Sequence, residues 1–450
     1  MTTDADDIYH KQKKDVLEIF HQAMDQMHPT QLIKREVSLE NNILSIRNTV
    51  AELKEGQNIW VIGTGKASAS MAEGLEEVLG DRIKDGMIIV PEGTGSGTKI
   101  IQTFTGNHPL PGDDSLASAY ELLDFIKKIP GDDILLYCLS GGTSALLCMP
   151  EEGLELKDLQ KTYKILLESG ANIHEMNIVR KQLSQVKGGG LWSFLNPDVH
   201  LIDLIISDVP DNRLEDIGSA PTLMKKTGFT DAMSILEKYD ITAKMPKRVI
   251  NFIKEGYRFE GVMPAKPVHG QKRYHESLLL SSAEHLAKRS GDIAEEKGYN
   301  VKVSDDVYND DVRNVARRIS ADAISVLSRD EPAESPAALI YFGESTVNVT
   351  GKGLGGRNQE LALTAALSLE GQHYITILSA GTDGRDGPTD AAGAISTSET
   401  ALLARKKGLN PESYLQNNDS YHFFEKLDGL LFTGPTGNNL MDLQIVLVTS

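Results

Sequence analysis

The sequence predicts an α/β protein: a Rossmann-like parallel-sheet N-terminal domain followed by a smaller α/β C-terminal domain. Three observations lead there. Short apolar runs rich in Ile, Val and Leu, among them Ile59–Ile62, Met87–Val90 and Ile134–Leu139, read as buried strands. Stretches with apolar residues at helical spacing alternate with them. Twice a strand runs straight into a Gly-rich turn and a helix, at Gly63-Thr64-Gly65-Lys66 and at Ser140-Gly141-Gly142-Thr143-Ser144. Two such turns in one domain point to a cleft at the carboxyl edge of a parallel sheet.

The chain has 450 residues, enough for two or three domains with cores of their own. Its formal net charge of −18 argues against nucleic acid and anionic membrane as partners, since both select basic surface. Any anion site must therefore concentrate its cations locally. Cys138 and Cys148 are the only cysteines, which fits a reduced, cytoplasmic protein without a disulfide framework. The opening MTTDADD lacks the profile of a signal peptide, and no apolar run approaches the roughly 20 residues that span a bilayer.

Taken in order, residues 8–24 read as an amphipathic helix, with Val16, Phe20 and Met24 on one face. Strand 59–62 delivers Gly63 and Gly65, and Met71, Leu75 and Leu79 then mark a helix with Lys66 at its entrance. Free N–H groups at a helix start, with a lysine beside them, suit a phosphate or carboxylate. The turn is no P-loop, because Trp60 stands where the first glycine belongs. It is a poor dinucleotide fingerprint, because Ser68 replaces the third glycine. Met87–Val90 is the next strand. His108 follows in a Pro-punctuated loop, as a turn residue or a ligand. Strand 134–139 leads to Ser140, Gly141, Gly142, Thr143 and Ser144, whose small side chains let a ligand approach the backbone.

A basic helix around Asn177–Lys187 ends in three glycines, with Lys181 read as a surface residue. Strand 201–206, interrupted by Asp203, presents Asp208 just past its end, placed to act in a cleft or to cap a turn. Pro246, Pro264 and Pro267 mark a boundary, so residues 1–245 form the N-terminal domain, 246–274 a linker and 275–450 the C-terminal domain. In the latter, strand 338–342 precedes Glu344. Gly355, Gly356, Arg357 and Asn358 open a helix in the manner of Lys66. Strand 375–379 leads to a loop with Asp383, Asp386 and Asp390, a candidate Mg²⁺ site or an Asx-turn loop. A last Gly-rich loop with Asn438 precedes Asp442 and the closing strand.

The motifs VIGTGKASASM, TGNHPLPG, LSGGTSALL, EMNIVRKQLSQVKGGGL, LIISDVPDN and SAPT resemble the N-terminal domain of class II glycerate 2-kinases. FGESTVNVTGKGLGGRNQELAL, SAGTDGRDGPTDAAGA and TGPTGNNLMDLQIVL resemble their C-terminal MOFRL domain. The resemblance covers nearly the whole chain. It departs from the family pattern at Asn107 and Leu110 of the histidine loop. It implies ATP-dependent phosphorylation of D-glycerate to 2-phosphoglycerate, by a phosphotransferase with an alcohol acceptor, in a cleft between the two domains. Lys66 and Arg357 are the implied catalytic pair, closing onto the transferring phosphate or the carboxylate. Arginine suits bidentate binding, and lysine acts as a point charge.

Asp208 is our choice for the group that orients or deprotonates the attacking hydroxyl. The expected binding residues are Gly63, Gly65, Ser140, Gly141, Gly142, Thr143, Ser144, Glu344, Gly355, Gly356, Asn358, Asp383 and Asn438. Mg²⁺ arrives with ATP, with Asp386 as a candidate protein ligand. The expected partners are D-glycerate and ATP, with homo-oligomer formation left open. Two alternatives stand beside this reading, an NAD(P)H-dependent hydroxypyruvate reductase and a non-catalytic small-acid binder.

Overall fold

The computed structural model describes residues 4–260 and 274–450, so Pro264 and Pro267 of the expected linker lie outside the described residues. The chain forms two compact units, Pro29–Leu280 and Met1–His28 with Ser281–Ser450. This division differs from the sequence expectation at both ends. The N-terminal helix, Asp4–Gln26, packs in the C-terminal unit, where Gln12 Nε2 donates to Tyr374 O at 2.8 Å and Thr376 Oγ1 donates to Gln12 Oε1 at 2.8 Å. Residues 275–281, expected to begin the second domain, instead form the last strand of the first sheet. Periodicity identifies a helix or strand but carries no information about which sheet receives it.

The unit Pro29–Leu280 begins with the helix Pro29–Glu36 and an antiparallel meander of β1 (Val37–Glu40), β2 (Ile43–Ile46) and β3 (Thr49–Glu52). Its main sheet holds β4 (Ile59–Thr64), β5 (Ile83–Pro91), β6 (Ile101–Gly106), β7 (Ile134–Leu139), β8 (His200–Ile206) and β9 (His275–Ser281). The order is β6-β5-β4-β7-β8-β9, and every pairing from β6 to β8 is parallel. All residues of β4 and β7 are buried, as expected for central strands covered on both faces. Asp203, which interrupts the apolar run of β8, is fully buried. Its Oδ2 accepts from Thr222 Oγ1 at 2.7 Å and Ser277 Oγ at 2.8 Å and lies 2.8 Å from His275 Nε2, so it fastens β9 to the sheet.

This is the doubly wound arrangement in which the winding reverses between β4 and β7. Crossovers run one way from β4 towards β6 and the other way from β7 towards β9. Ligands in such sheets bind outside the carboxyl ends of the two strands at that reversal. Here those ends lead into Gly63–Lys66 and Ser140–Ser144.

The second unit carries a mixed sheet of β10 (Asn300–Val303), β11 (Ala337–Gly343), β12 (Ile375–Gly381), β13 (Gly393–Thr397), β14 (Leu430–Leu431) and β15 (Asp442–Val448), in the order β10-β11-β15-β12-β13-β14. β15 runs antiparallel to both its neighbours, with Asp442 in register with Gly343 and Gly381. The loops after β11 and β12 therefore converge on one buried carboxyl group. Among the described residues no helix is long and apolar enough to cross a membrane.

Candidate functional site

At the winding reversal the two Gly-rich turns lock into each other. The Lys66 amide donates to Gly141 O at 2.9 Å, the Ala67 amide to Ser140 Oγ at 3.0 Å, and the Ser140 amide to Thr64 O at 3.1 Å. Gly65 has φ +122°, and a Cβ there would lie 2.3 Å from Ser140 Oγ, so only glycine fits. Thr143 Oγ1 is buried and donates to Thr64 O at 2.7 Å or Ser140 O at 2.8 Å. Thr143, expected among the binding residues, thus spends its hydroxyl holding the loop in place, and Ser140 Oγ does the same by accepting from the Ala67 amide. Gly63 is likewise a packing residue, since a Cβ there would lie 2.7 Å from Ile88 Cγ2.

The entrance of helix Ser68–Leu79 was expected to offer free N–H groups. Instead the amides of Gly65, Lys66, Ala67 and Ser68 are all bonded within the protein. A longer run of free amides lies one loop away. Those of Gly141, Gly142, Thr143 and Ser144 meet no acceptor among the described residues. Gly142 has φ +87° and Thr143 starts a single helical turn, so successive N–H groups follow the left-then-right alternation that forms an anion-binding concavity.

Side chains gather around this loop. A Cβ on Gly142 would lie 3.3 Å from Lys66 Cγ and 3.5 Å from His108 Nε2, and one on Gly141 would lie 2.0 Å from Asp208 Oδ2. Lys66 and Asp208 are half-buried, and His108 is exposed at the rim. Partial desolvation and the neighbouring Lys66 ammonium hold the His108 imidazole below its ordinary range. The structure therefore brings Lys66, His108, Gly141, Gly142 and Asp208 together: a point cation, an imidazole and a carboxylate around a row of amides. Such a site can bind a phosphate or carboxylate and take a proton from a group beside it.

The basic helix, Ile173–Gln182, corrects another expectation. Lys181 is 4 % exposed, Arg180 8 % and Lys187 2 %, so none is a surface residue. Lys187 Nζ donates to Ser144 O at 2.7 Å and Leu147 O at 2.8 Å, and burial pushes its ammonium down to about 8. Ser144 Oγ lies 2.8 Å from Ser219 Oγ, which donates to Asn177 Oδ1 at 2.9 Å. Spacing cannot separate a buried basic face from a solvated one, because a long side chain is costly to bury only where it lacks partners.

In the second unit the expected residues have largely become structure. The Arg357 Nε lies 2.6 Å from Asp442 Oδ2, and its Nη2 donates to Asp442 Oδ1 at 2.9 Å and Glu344 Oε1 at 3.0 Å. The edge expected to grip a ligand anion thus grips Asp442. Nη1 is the guanidinium nitrogen that meets no acceptor among the described residues. Burial pushes the Asp442 carboxyl up to about 7 against the pull of Arg357.

Asp386, the candidate metal ligand, caps helix Arg357–Ser368, its two oxygens accepting from the amides of Asn358 at 3.0 Å and Gln359 at 2.8 Å. Gly356 is glycine because a Cβ would lie 2.3 Å from Asp386 Cγ, and Gly355 packs on Ser420. Asn358 is buried and accepts from Ser379 Oγ at 2.7 Å. Asp383 closes an Asx turn onto the Arg385 amide at 3.1 Å. Asn438 is buried and donates to Met27 O at 3.0 Å. Among the described residues no group of three or more His, Cys, Asp or Glu could hold a metal ion.

One aspartate before a strand gives no signal of function in the sequence, yet the contacts of Arg357 converge on Asp442. Asp442→Ala should cost about 3 kcal/mol in urea unfolding, the lower end of the range for a broken buried pair, since Arg357 is partly solvated. Adding Arg357→Ala should then cost much less than it does in the wild type, and additive losses would contradict the pairing.

The domain of unknown function DUF4147 matches residues 15–254, and the MOFRL family matches residues 337–442. A Thermotoga maritima protein named D-glycerate 2-kinase is 36 % identical over 420 residues, spanning 93 % of this chain and 97 % of its own length. A Pyrococcus horikoshii protein named glycerate 2-kinase is 36 % identical over 438 residues, spanning 96 % and 97 %. An Agrobacterium vitis relative, 34 % identical over 390 residues, 86 % of this chain and 98 % of its own length, carries hydroxypyruvate reductase as a provisional name. A crystal structure of a Thermotoga maritima glycerate kinase (EC 2.7.1.31) superposes with a TM-score of 0.85 at 34 % identity, covering 98 % of this chain and all of that one.

Proposed function

This chain belongs to the MOFRL-containing glycerate 2-kinase family, and from that premise we propose that it phosphorylates the 2-hydroxyl of D-glycerate with Mg·ATP. The observation that carries the reading is the group at the winding reversal: four unpartnered amides with Lys66, His108 and Asp208 around them. Phosphoryl transfer asks a protein mainly for positioning and for positive charge where negative charge moves. The amides of Gly141–Ser144 hold phosphoryl oxygens, and the Lys66 ammonium stabilises the charge that shifts during transfer. Asp208, against Gly141, accepts the proton of the attacking hydroxyl.

Mg²⁺ comes as part of the nucleotide substrate, held chiefly by phosphates and water. Asp386 is left out of this role because both its oxygens cap a helix.

Reductase activity is not favoured. A dinucleotide pyrophosphate approaches the Gly-rich turn before the first helix, and here the Gly65, Lys66, Ala67 and Ser68 amides of that turn are bonded within the protein and Ser68 replaces the third glycine.

Relatives named 2-kinase and a neighbour numbered EC 2.7.1.31, a 3-kinase number, differ on the hydroxyl. Product chemistry decides it. With D-glycerate and ATP, the product is expected to feed enolase directly and give phosphoenolpyruvate. A product that enolase accepts only after a phosphoglycerate mutase is added is the 3-phosphate and overturns the choice of hydroxyl.

A further inference from the structure

Among the described residues, one buried cation of the helix Ile173–Gln182 has no role in the proposed chemistry. Lys181 has Asp216 at 3.8 Å, and Lys187 has two carbonyl oxygens. Arg180 is 8 % exposed and meets no carboxylate among the described residues. Its guanidinium stands 4.8 Å from the Tyr163 ring centroid, its Nη2 makes one weak contact with Met176 Sδ at 3.9 Å, and its Nε has no partner. An unpaired buried guanidinium is costly, and a residue serving structure alone would be met by a carboxylate or replaced by an apolar side chain without loss.

Its neighbours tie it to the site. Tyr163 lies on helix Leu156–Glu168, whose Gln160 donates to Pro111 O at 2.8 Å, in the loop that carries His108. Asn177, one helical turn before Arg180, is linked through Ser219 to Ser144 Oγ. The helix that carries Arg180 and the helix that carries its Tyr163 neighbour are thus each tied to a segment beside the free amides.

We propose that Arg180 receives the carboxylate of the substrate, an assignment that rests on reading the protein as a D-glycerate kinase. The Lys66 cluster is occupied with the phosphoryl group, so the second anion of the reaction needs a cation of its own. A planar fork matches a carboxylate with two parallel hydrogen bonds. A cation left unpaired until the substrate arrives also rejects glycerol, which lacks the carboxylate and would leave the charge stranded.

The test is Arg180→Met and Arg180→Lys, read by steady-state kinetics, by titration calorimetry of D-glycerate with a non-hydrolysable ATP analogue present, and by thermal unfolding without ligand. Expected is a rise of roughly 30-fold or more in the D-glycerate Kd and KM for Arg180→Met, as for truncating a buried charge pair, with the KM for ATP within threefold of wild type. Arg180→Lys should fall between the two, since lysine keeps the charge and loses the fork. Ligand-free Arg180→Met should unfold no earlier than wild type, because an unpaired buried charge has gone. A D-glycerate Kd and KM within threefold of wild type in folded Arg180→Met overturns the proposal, as does a wild-type protein that binds no D-glycerate. Wild-type protein that binds D-glycerate yet releases no ADP refutes the kinase reading instead, and Arg180 is then judged on the Kd alone.

Discussion

Lys66→Ala is expected to lower kcat by about 10²–10³, the usual loss when one transition-state electrostatic contact is removed. The fold should survive, because the Lys66 amide holds Gly141 O through the backbone at 2.9 Å and alanine keeps that bond. The KM for ATP should change much less than kcat, since the ammonium is asked to stabilise charge that moves during transfer. A second readout is independent of turnover. Desolvation and the Lys66 charge together depress the His108 imidazole, so its titration followed by NMR should move upward in the variant. Unchanged kcat in folded protein removes Lys66 from the chemistry, and an unmoved His108 contradicts the contact between them.

Asp208→Asn keeps the shape of the side chain and removes its basicity. The expected loss in kcat is about 10²–10⁴, with the D-glycerate KM nearly unchanged. Gly141→Ala should give the same kinetic signature by a different route, because its Cβ would stand 2.0 Å from Asp208 Oδ2 and displace the carboxylate. If Asp208→Asn raises KM and leaves kcat intact, the residue binds substrate and the proton goes elsewhere.

Much of the N-terminal site was legible because its signals are local. A buried strand, two glycines and a small-residue turn fix the backbone whatever surrounds them, so Lys66, Gly141, Gly142 and Asp208 could be placed near one another from order alone. Which amides stay free could not be read. It depends on two turns bonding to each other across the sheet, which happens to empty the Gly141–Ser144 loop and fill the Lys66 turn. The C-terminal site was less legible for the same reason. Arg357, Asn358 and Asp386 stand at a helix entrance as the sequence suggests, but the antiparallel register that sets Asp442 opposite Gly343 and Gly381 turns them into a bonded network. The carboxylate that Arg357 meets is Asp442, through a hydrogen bond from Nη2 at 2.9 Å and an Nε contact at 2.6 Å.

Arg180 marks a different limit. Burial of a basic residue is a tertiary fact, and the helical pattern around Asn177–Lys187 reads equally well as a solvated face.

The central claim is that the cluster at the winding reversal transfers a phosphoryl group to D-glycerate. The most direct measurement is ADP release by the wild-type protein with Mg·ATP, with and without D-glycerate, beside Lys66→Ala under the same conditions. The account predicts D-glycerate-dependent ADP release that falls about 10²–10³-fold in the variant. No D-glycerate-dependent release from wild-type protein, with NAD(P)H oxidised in the presence of hydroxypyruvate, would contradict it.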